Sequence, residues 1–166
     1  MGVRSPALAR QAGVHLPIVP AKGYTLTLPL PADQFPPPHP VADDALHAAV
    51  VPIAGGLRLA GTAEFAGYDM TFQTHRIDQL LHVLKVIYPT ISANVDRSRV
   101  SAWVGLRPVS ADGVPFIGAT RIGGLYVNAG HGPLGWTMAA GSARLLADEM
   151  SGANAAIDTA PYRVHR

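Results

Sequence analysis

The sequence predicts an α+β fold, a mixed and largely antiparallel sheet with helices packed on it, and three observations carry that prediction. Residues 22–30 alternate Tyr24, Leu26, Leu28 and Leu30 with threonines and Pro29, the two-residue period of a half-buried strand. Two further apolar runs, 47–53 and 57–65, flank Ala54-Gly55-Gly56, a turn suited to a β-hairpin. Ile77, Leu80, Leu81, Leu84, Ile87 and Tyr88 then recur at helical spacing, and an alanine-rich stretch from 137 to 150 stops at Ser151-Gly152. The order is helix, strand, proline loop, hairpin, helix, strands, helix.

Each element has a local reason. Residues 5–13 read as a short helix, with Ser5 as N-cap, Pro6 at the first helical position and Gly13 past the end. A helix this close to Met1 suggests that the chain opens partway through a larger unit. Residues 31–40 hold five prolines and read as a stiff surface excursion. Gly61 inside the second hairpin strand marks a bulge or a close approach to the backbone by a ligand. Thr74 is the expected N-cap of the second helix, and Pro89 its end. Residues 99–106 read as a strand, Asp112-Gly113 as a turn, and 116–118 and 124–128 as two short strands. The last of these feeds into Gly130-His131-Gly132-Pro133-Leu134-Gly135-Trp136-Thr137.

Composition narrows the function classes. At 166 residues, 48% hydrophobic and 14% charged, the chain has material for a real core. Its net charge of +2 comes from scattered arginines rather than a basic block, so no nucleic-acid footprint is visible. With no cysteine there is no disulfide, thiolate metal site or cysteine nucleophile. The seven histidines are scattered without ligand spacing, and no metal site is expected. No apolar run approaches the roughly 20 residues of a membrane span. A cytoplasmic protein is the expectation, with peripheral contact at the inner membrane left open.

The glycine-rich turn at 130–137 is the most suggestive stretch. Glycines let the backbone adopt φ > 0 and offer N–H groups, and the following helix adds its own uncapped N–H groups and the positive end of its dipole. An anionic or electron-accepting ligand fits such an end, although a plain helix cap has the same pattern. Arg107 sits between an apolar strand end and Pro108; a guanidinium there could bind a carboxylate in two parallel hydrogen bonds or simply hold loop carbonyls. His131 could donate to a cofactor oxygen or bond a nearby carbonyl. Tyr24 and Tyr68 could line a pocket or be half-buried strand residues, and Trp103 and Trp136 read as packing residues.

Four motifs in order resemble the C-terminal part of FAD-dependent D-amino-acid dehydrogenases, within the amine-oxidising flavoproteins that include glycine oxidase and D-amino-acid oxidase. They are Pro20-Ala21-Lys22-Gly23-Tyr24, Trp103-Val104-Gly105-Leu106-Arg107-Pro108, Asp112-Gly113-Val114-Pro115-Phe116-Ile117-Gly118, and Asn128-Ala129 running into the turn. The resemblance implies that Arg107 binds the substrate carboxylate; Tyr24 and Tyr68 are the candidates to stand beside the substrate. It implies that Gly130, His131, Gly132, Leu134, Gly135, Trp136 and Thr137 meet the pyrimidine end of FAD. The implied reaction is oxidative deamination of a D-amino acid in D-amino-acid catabolism: hydride passes from Cα to flavin N5, the imino acid hydrolyses to a 2-oxo acid and ammonia, and electrons go on to a quinone or other acceptor.

The family opens with a strand, a G-x-G-x-x-G turn and a helix that hold the ADP half of FAD, and this sequence has no such fingerprint after an early strand. The resemblance therefore implies a remnant of the FAD-binding domain at 1–14, a substrate-binding domain at 15–110 and a C-terminal FAD-binding segment at 111–166. Two readings stay open. The chain is part of an oxidoreductase that works with an N-terminal FAD-binding polypeptide, or it is a catalytically silent fragment or interaction module. In either case the isolated chain is expected to hold FAD weakly or not at all.

Overall fold

The computed structural model describes residues 1–31 and 33–166. Its elements are α1 (Ser5–Gln11), β1 (Ile18–Pro29), β2 (Val41–Asp43), β3 (Ala48–Ile53), β4 (Gly56–Glu64), α2 (Thr74–Ile87), α3 (Pro89–Ala93), β5 (Ser101–Ser110), β6 (Phe116–Ala119), β7 (Tyr126–Ala129) and α4 (Gly135–Ser151). Five strands form one sheet in the order β2-β3-β4-β1-β5, and β6 and β7 form a second. The pairs β1–β4, β2–β3, β3–β4 and β6–β7 are antiparallel, so the mixed α+β architecture expected from the sequence is the one found.

The chain divides into two compact units. One comprises Met1–Ala21, Phe65–Tyr68 and Leu106–Arg166, the other Lys22–Glu64 and Asp69–Gly105. β1 and β5 each start in one unit and end in the other, so the chain crosses between units inside strands. The crossings lie at 21/22 and 105/106.

In the second unit the alternation of β1 buries Tyr24, Leu26 and Leu28 on one face, joined by Val50, Leu57 and Leu59 from the hairpin. Leu80, Leu81, Val83 and Leu84 of α2 close over them. Gly61 has the core close against it: an added Cβ would stand 2.9 Å from the Ala48 Cβ and 3.0 Å from Leu80 Cδ2. The close approach foreseen at this glycine is thus by the core and not by a ligand. α2 starts after Gln73 with no side-chain cap, so Thr74 is its first residue rather than its N-cap. Pro89 ends α2 and opens α3, as a proline at a first helical position can. Of the proline-rich stretch, residue 32 lies outside the described residues, and 31 and 33–40 hold neither helix nor strand. Trp103, expected to pack inside, is 66% exposed and lies against Gly105, where a Cβ would leave it no room.

In the first unit a smaller core gathers Val14, Leu16, Ile18, Phe116 and Val164. α1 is preceded by a 3-10 turn over Gly2–Arg4, so Ser5 lies inside the helix and caps nothing. α4 buries Ser142, Leu145 and Asp148 along one face and ends at Gly152 with φ 71°, a left-handed glycine stop. The final residues are tied down: Arg166 donates to both oxygens of Asp112 at 2.8 Å and stacks 4.0 Å from the centre of the Phe116 ring.

Candidate active site: the turn before the last helix

β7 delivers the chain into Gly130, whose φ of 87° is left-handed and whose missing Cβ would stand 3.3 Å from Ile18. Only glycine satisfies both the angle and the packing. His131 follows, then a 3-10 turn over Gly132–Leu134 that opens directly into α4. Gly132 also has positive φ, at 54°, whereas Gly135 is already helical. No side chain caps the first turn of α4, so the positive end of its dipole is met by no anion of the chain's own capping residues.

The main chain of His131 pairs with Val109 in an isolated antiparallel bridge. Arg107 lies two residues earlier on β5, on the same face of the strand as Val109, and a Cβ on Gly132 would stand 3.9 Å from Val109 Cγ2. The strand that carries Arg107 is therefore held to the turn at Val109, within the first unit. Burial pulls the pKa of Arg107 below its ordinary value, yet a guanidinium stays charged at any physiological pH.

Pro108 points the other way and, with His131, Gly130, Asn128, Tyr126 and Ser5, lines a cavity of about 680 Å³. That volume is within the range of small-molecule sites. Arg107 is not among its lining residues. Nε2 of His131 is buried without a hydrogen-bond partner, and burial lowers the pKa of the ring, which favours the neutral imidazole. An orphaned ring nitrogen, two left-handed glycines and an uncapped helix start are what an electron-accepting ring with polar edges would use, so the residues fit the isoalloxazine end of FAD.

The other candidate residues separate. Tyr68 is in the first unit, 58% exposed, with its hydroxyl donating to the Val3 carbonyl at 3.0 Å. Tyr24 is fully buried in the second unit's core, its hydroxyl donating to Glu64 Oε2 at 3.1 Å; it is a packing residue with one satisfied polar atom. Leu134 is exposed, as is Thr137, and Trp136 is 95% exposed. Trp136 stands on the side of α4 away from Leu145, which explains why it does not pack as its type suggested. Two residues escaped the sequence reading. Ser110 buries a hydroxyl without a partner, and Asn128 lines the cavity and reaches Ser142 Oγ at 3.5 Å; neither type in a short strand carries a distinguishing signal.

The chain is 42% identical over its whole length to a D-amino acid dehydrogenase of Xanthobacter autotrophicus, of which it covers 39%. It is 44% identical over 152 residues to a D-amino acid dehydrogenase of Methylobacterium sp., covering 92% of this chain and 35% of that protein. Among solved structures, glycine oxidase from Geobacillus kaustophilus superposes with a TM-score of 0.82 at 26% identity, covering 99% of this chain and 44% of the other. The chain thus spans less than half the length of the relatives it matches. The family described as DAO, FAD dependent oxidoreductase, matches residues 1–149, and the chain belongs to that family.

Proposed function

We propose that the chain forms the amino-acid-binding part, and the last flavin-contacting turn, of an FAD-dependent enzyme that oxidatively deaminates D-amino acids. The observation that carries this reading is the bridge between Val109 and His131, which joins the strand carrying Arg107 to the glycine-rich turn. Arg107 takes the substrate carboxylate in a bidentate pair, fixing orientation as well as affinity, and Tyr68 is assigned as a second substrate-binding residue. Gly130, His131 and Gly132, with Leu134, Gly135, Trp136 and Thr137 at the start of α4, hold the flavin edge, and the helix dipole favours negative charge there. Bound FAD supplies the acceptor for the hydride that leaves the substrate Cα. The imino acid so formed hydrolyses to a 2-oxo acid and ammonia, and a quinone or another acceptor takes the electrons onward. None of these side chains is assigned as an acid or base, since a neutral amine supplies the electron pair itself.

Because the chain covers 39% of the Xanthobacter relative, the reaction is assigned to the chain in company with an FAD-binding polypeptide. The test is complementation: the chain is combined with the FAD-binding portion of that relative, and dye reduction is followed with D- and L-amino acids. The expected result is D-selective, FAD-dependent reduction. Stoichiometric FAD binding by both parts with no amino-acid-dependent reduction would favour the silent-fragment reading instead.

A further inference from the structure

Lys22 is the one fully buried cation among the described residues, with no side-chain surface exposed. It stands in phase with Tyr24, Leu26 and Leu28, on the apolar face of β1. A buried ammonium is costly unless it is paired and hydrogen-bonded, and here it is both. Nζ donates to Asp69 Oδ2 and to the Thr71 carbonyl, each at 3.2 Å, and lies 3.6 Å from Glu64 Oε1. Glu64 also accepts from Tyr24 and stands 3.7 Å from Arg76 Nε.

Glu64 and Asp69 are the two feet of the segment Phe65–Tyr68, the stretch that leaves the second unit and returns to it. Glu64 is brought opposite Lys22 by a bulge: between the pairs Lys22–Glu64 and Tyr24–Gly61, β1 has Gly23 alone and β4 has Thr62 and Ala63. Thr62 has a φ of 61°, a strained conformation for a β-branched residue. A buried charge and a strained strand residue thus meet at the base of one loop, which displays Phe65 and Tyr68.

We propose that Lys22 is a positioning residue, gathering the carboxylates of Glu64 and Asp69 so that the segment between them holds Tyr68 in one place. The bearing on substrate rests on the reading of Tyr68 given above; the anchoring itself does not.

The test is hydrogen exchange on the 166-residue chain, read by mass spectrometry. Lys22→Met keeps the length of the side chain and removes its charge. The expected result is exchange about tenfold faster in residues 65–71, the scale of one lost charge-assisted interaction, with β1, β3 and α2 unchanged. Unchanged exchange at 65–71 overturns the proposal, as does a uniform rise through the second unit, which would make Lys22 a plain support of the core. If Lys22→Met does not fold, Asp69→Asn at the half-exposed partner decides instead: it must speed exchange at 65–71, and no change there overturns the proposal. In the complemented enzyme, Lys22→Met raises KM with kcat kept. A Tyr68→Phe enzyme of unchanged KM would remove the role of Tyr68 and leave the exchange result standing.

Discussion

His131 pairs through its main chain with Val109, and this bridge sets the register between the glycine-rich turn and the strand that carries Arg107. If Arg107 holds the substrate carboxylate, its replacement removes a charge-assisted bidentate contact of about 1.5–3 kcal/mol. Arg107→Ala in the complemented enzyme is expected to raise KM about 10- to 150-fold. Arg107→Lys should recover only part of this, because an ammonium cannot form the two parallel bonds. Steady-state kinetics with varied D-amino acid checks both.

His131 should oppose stability to function. Its Nε2 is buried and unpartnered, so His131→Leu removes a desolvation cost and is expected to stabilise the chain by about 1 kcal/mol in urea unfolding. The same change should weaken FAD retention in the complemented enzyme, seen as loss of flavin absorbance on dialysis. A variant that is both less stable and unaltered in flavin retention would count against the assignment.

Two glycines of the same region should respond with opposite signs. Gly130→Ala forces a Cβ onto a left-handed residue and to within 3.3 Å of Ile18, at an expected cost of about 1–2 kcal/mol. Gly141 is helical with nothing within 4 Å of an added Cβ, and Gly141→Ala should stabilise by about 0.5–1 kcal/mol. Thermal melts of the two variants make the comparison.

The clasp of Arg166 on Asp112 gives a pH signature. Two hydrogen bonds from Arg166, with a backbone N–H from Val114, hold the Asp112 carboxyl well below the usual carboxylate range. A carboxyl depressed in the folded state contributes stability that is present above its unfolded pKa, 3.8 by the reference value, and lost as pH falls toward its folded one. Arg166→Met is therefore expected to lower the melting temperature at pH 7, with the gap to the parent chain closing as pH falls below about 4. Asp69, lowered to about 2 by its hydrogen bonds from Thr71 and Lys22, should add to acid loss of stability in the same window.

Tyr24 and Tyr68 are separated by a paired substitution. Tyr24→Phe loses one hydroxyl bonded to Glu64, worth about 1 kcal/mol of stability, and leaves KM unchanged. Tyr68→Phe, at an exposed position, should barely alter stability and should raise KM. Urea unfolding and kinetics on the two variants suffice.

Much of the fold was legible because periodicity is a direct image of burial. The alternation at Tyr24, Leu26 and Leu28 and the helical spacing of Leu80, Leu81 and Leu84 both point at the core they form. The stop at Gly152 and the turn at Gly130 followed from backbone angles that other residues adopt at a cost. What stayed hidden depends on distant partners. Lys22 keeps the same phase as Tyr24, but its burial is tolerable only because Glu64 and Asp69, more than forty residues away, arrive beside it. Similarly, nothing local shows that Val109 meets His131, and so the link between Arg107 and the turn needed the structure.

The chain has two tryptophans, and the fold gives one to each unit: Trp103 to the second and Trp136 to the first, both largely in water. Each unit thus carries its own fluorescent label without chemical modification. With Trp103→Phe, emission comes from the start of α4 alone, and with Trp136→Phe from β5 alone, so quenching by a dissolved ion can be read for each half separately.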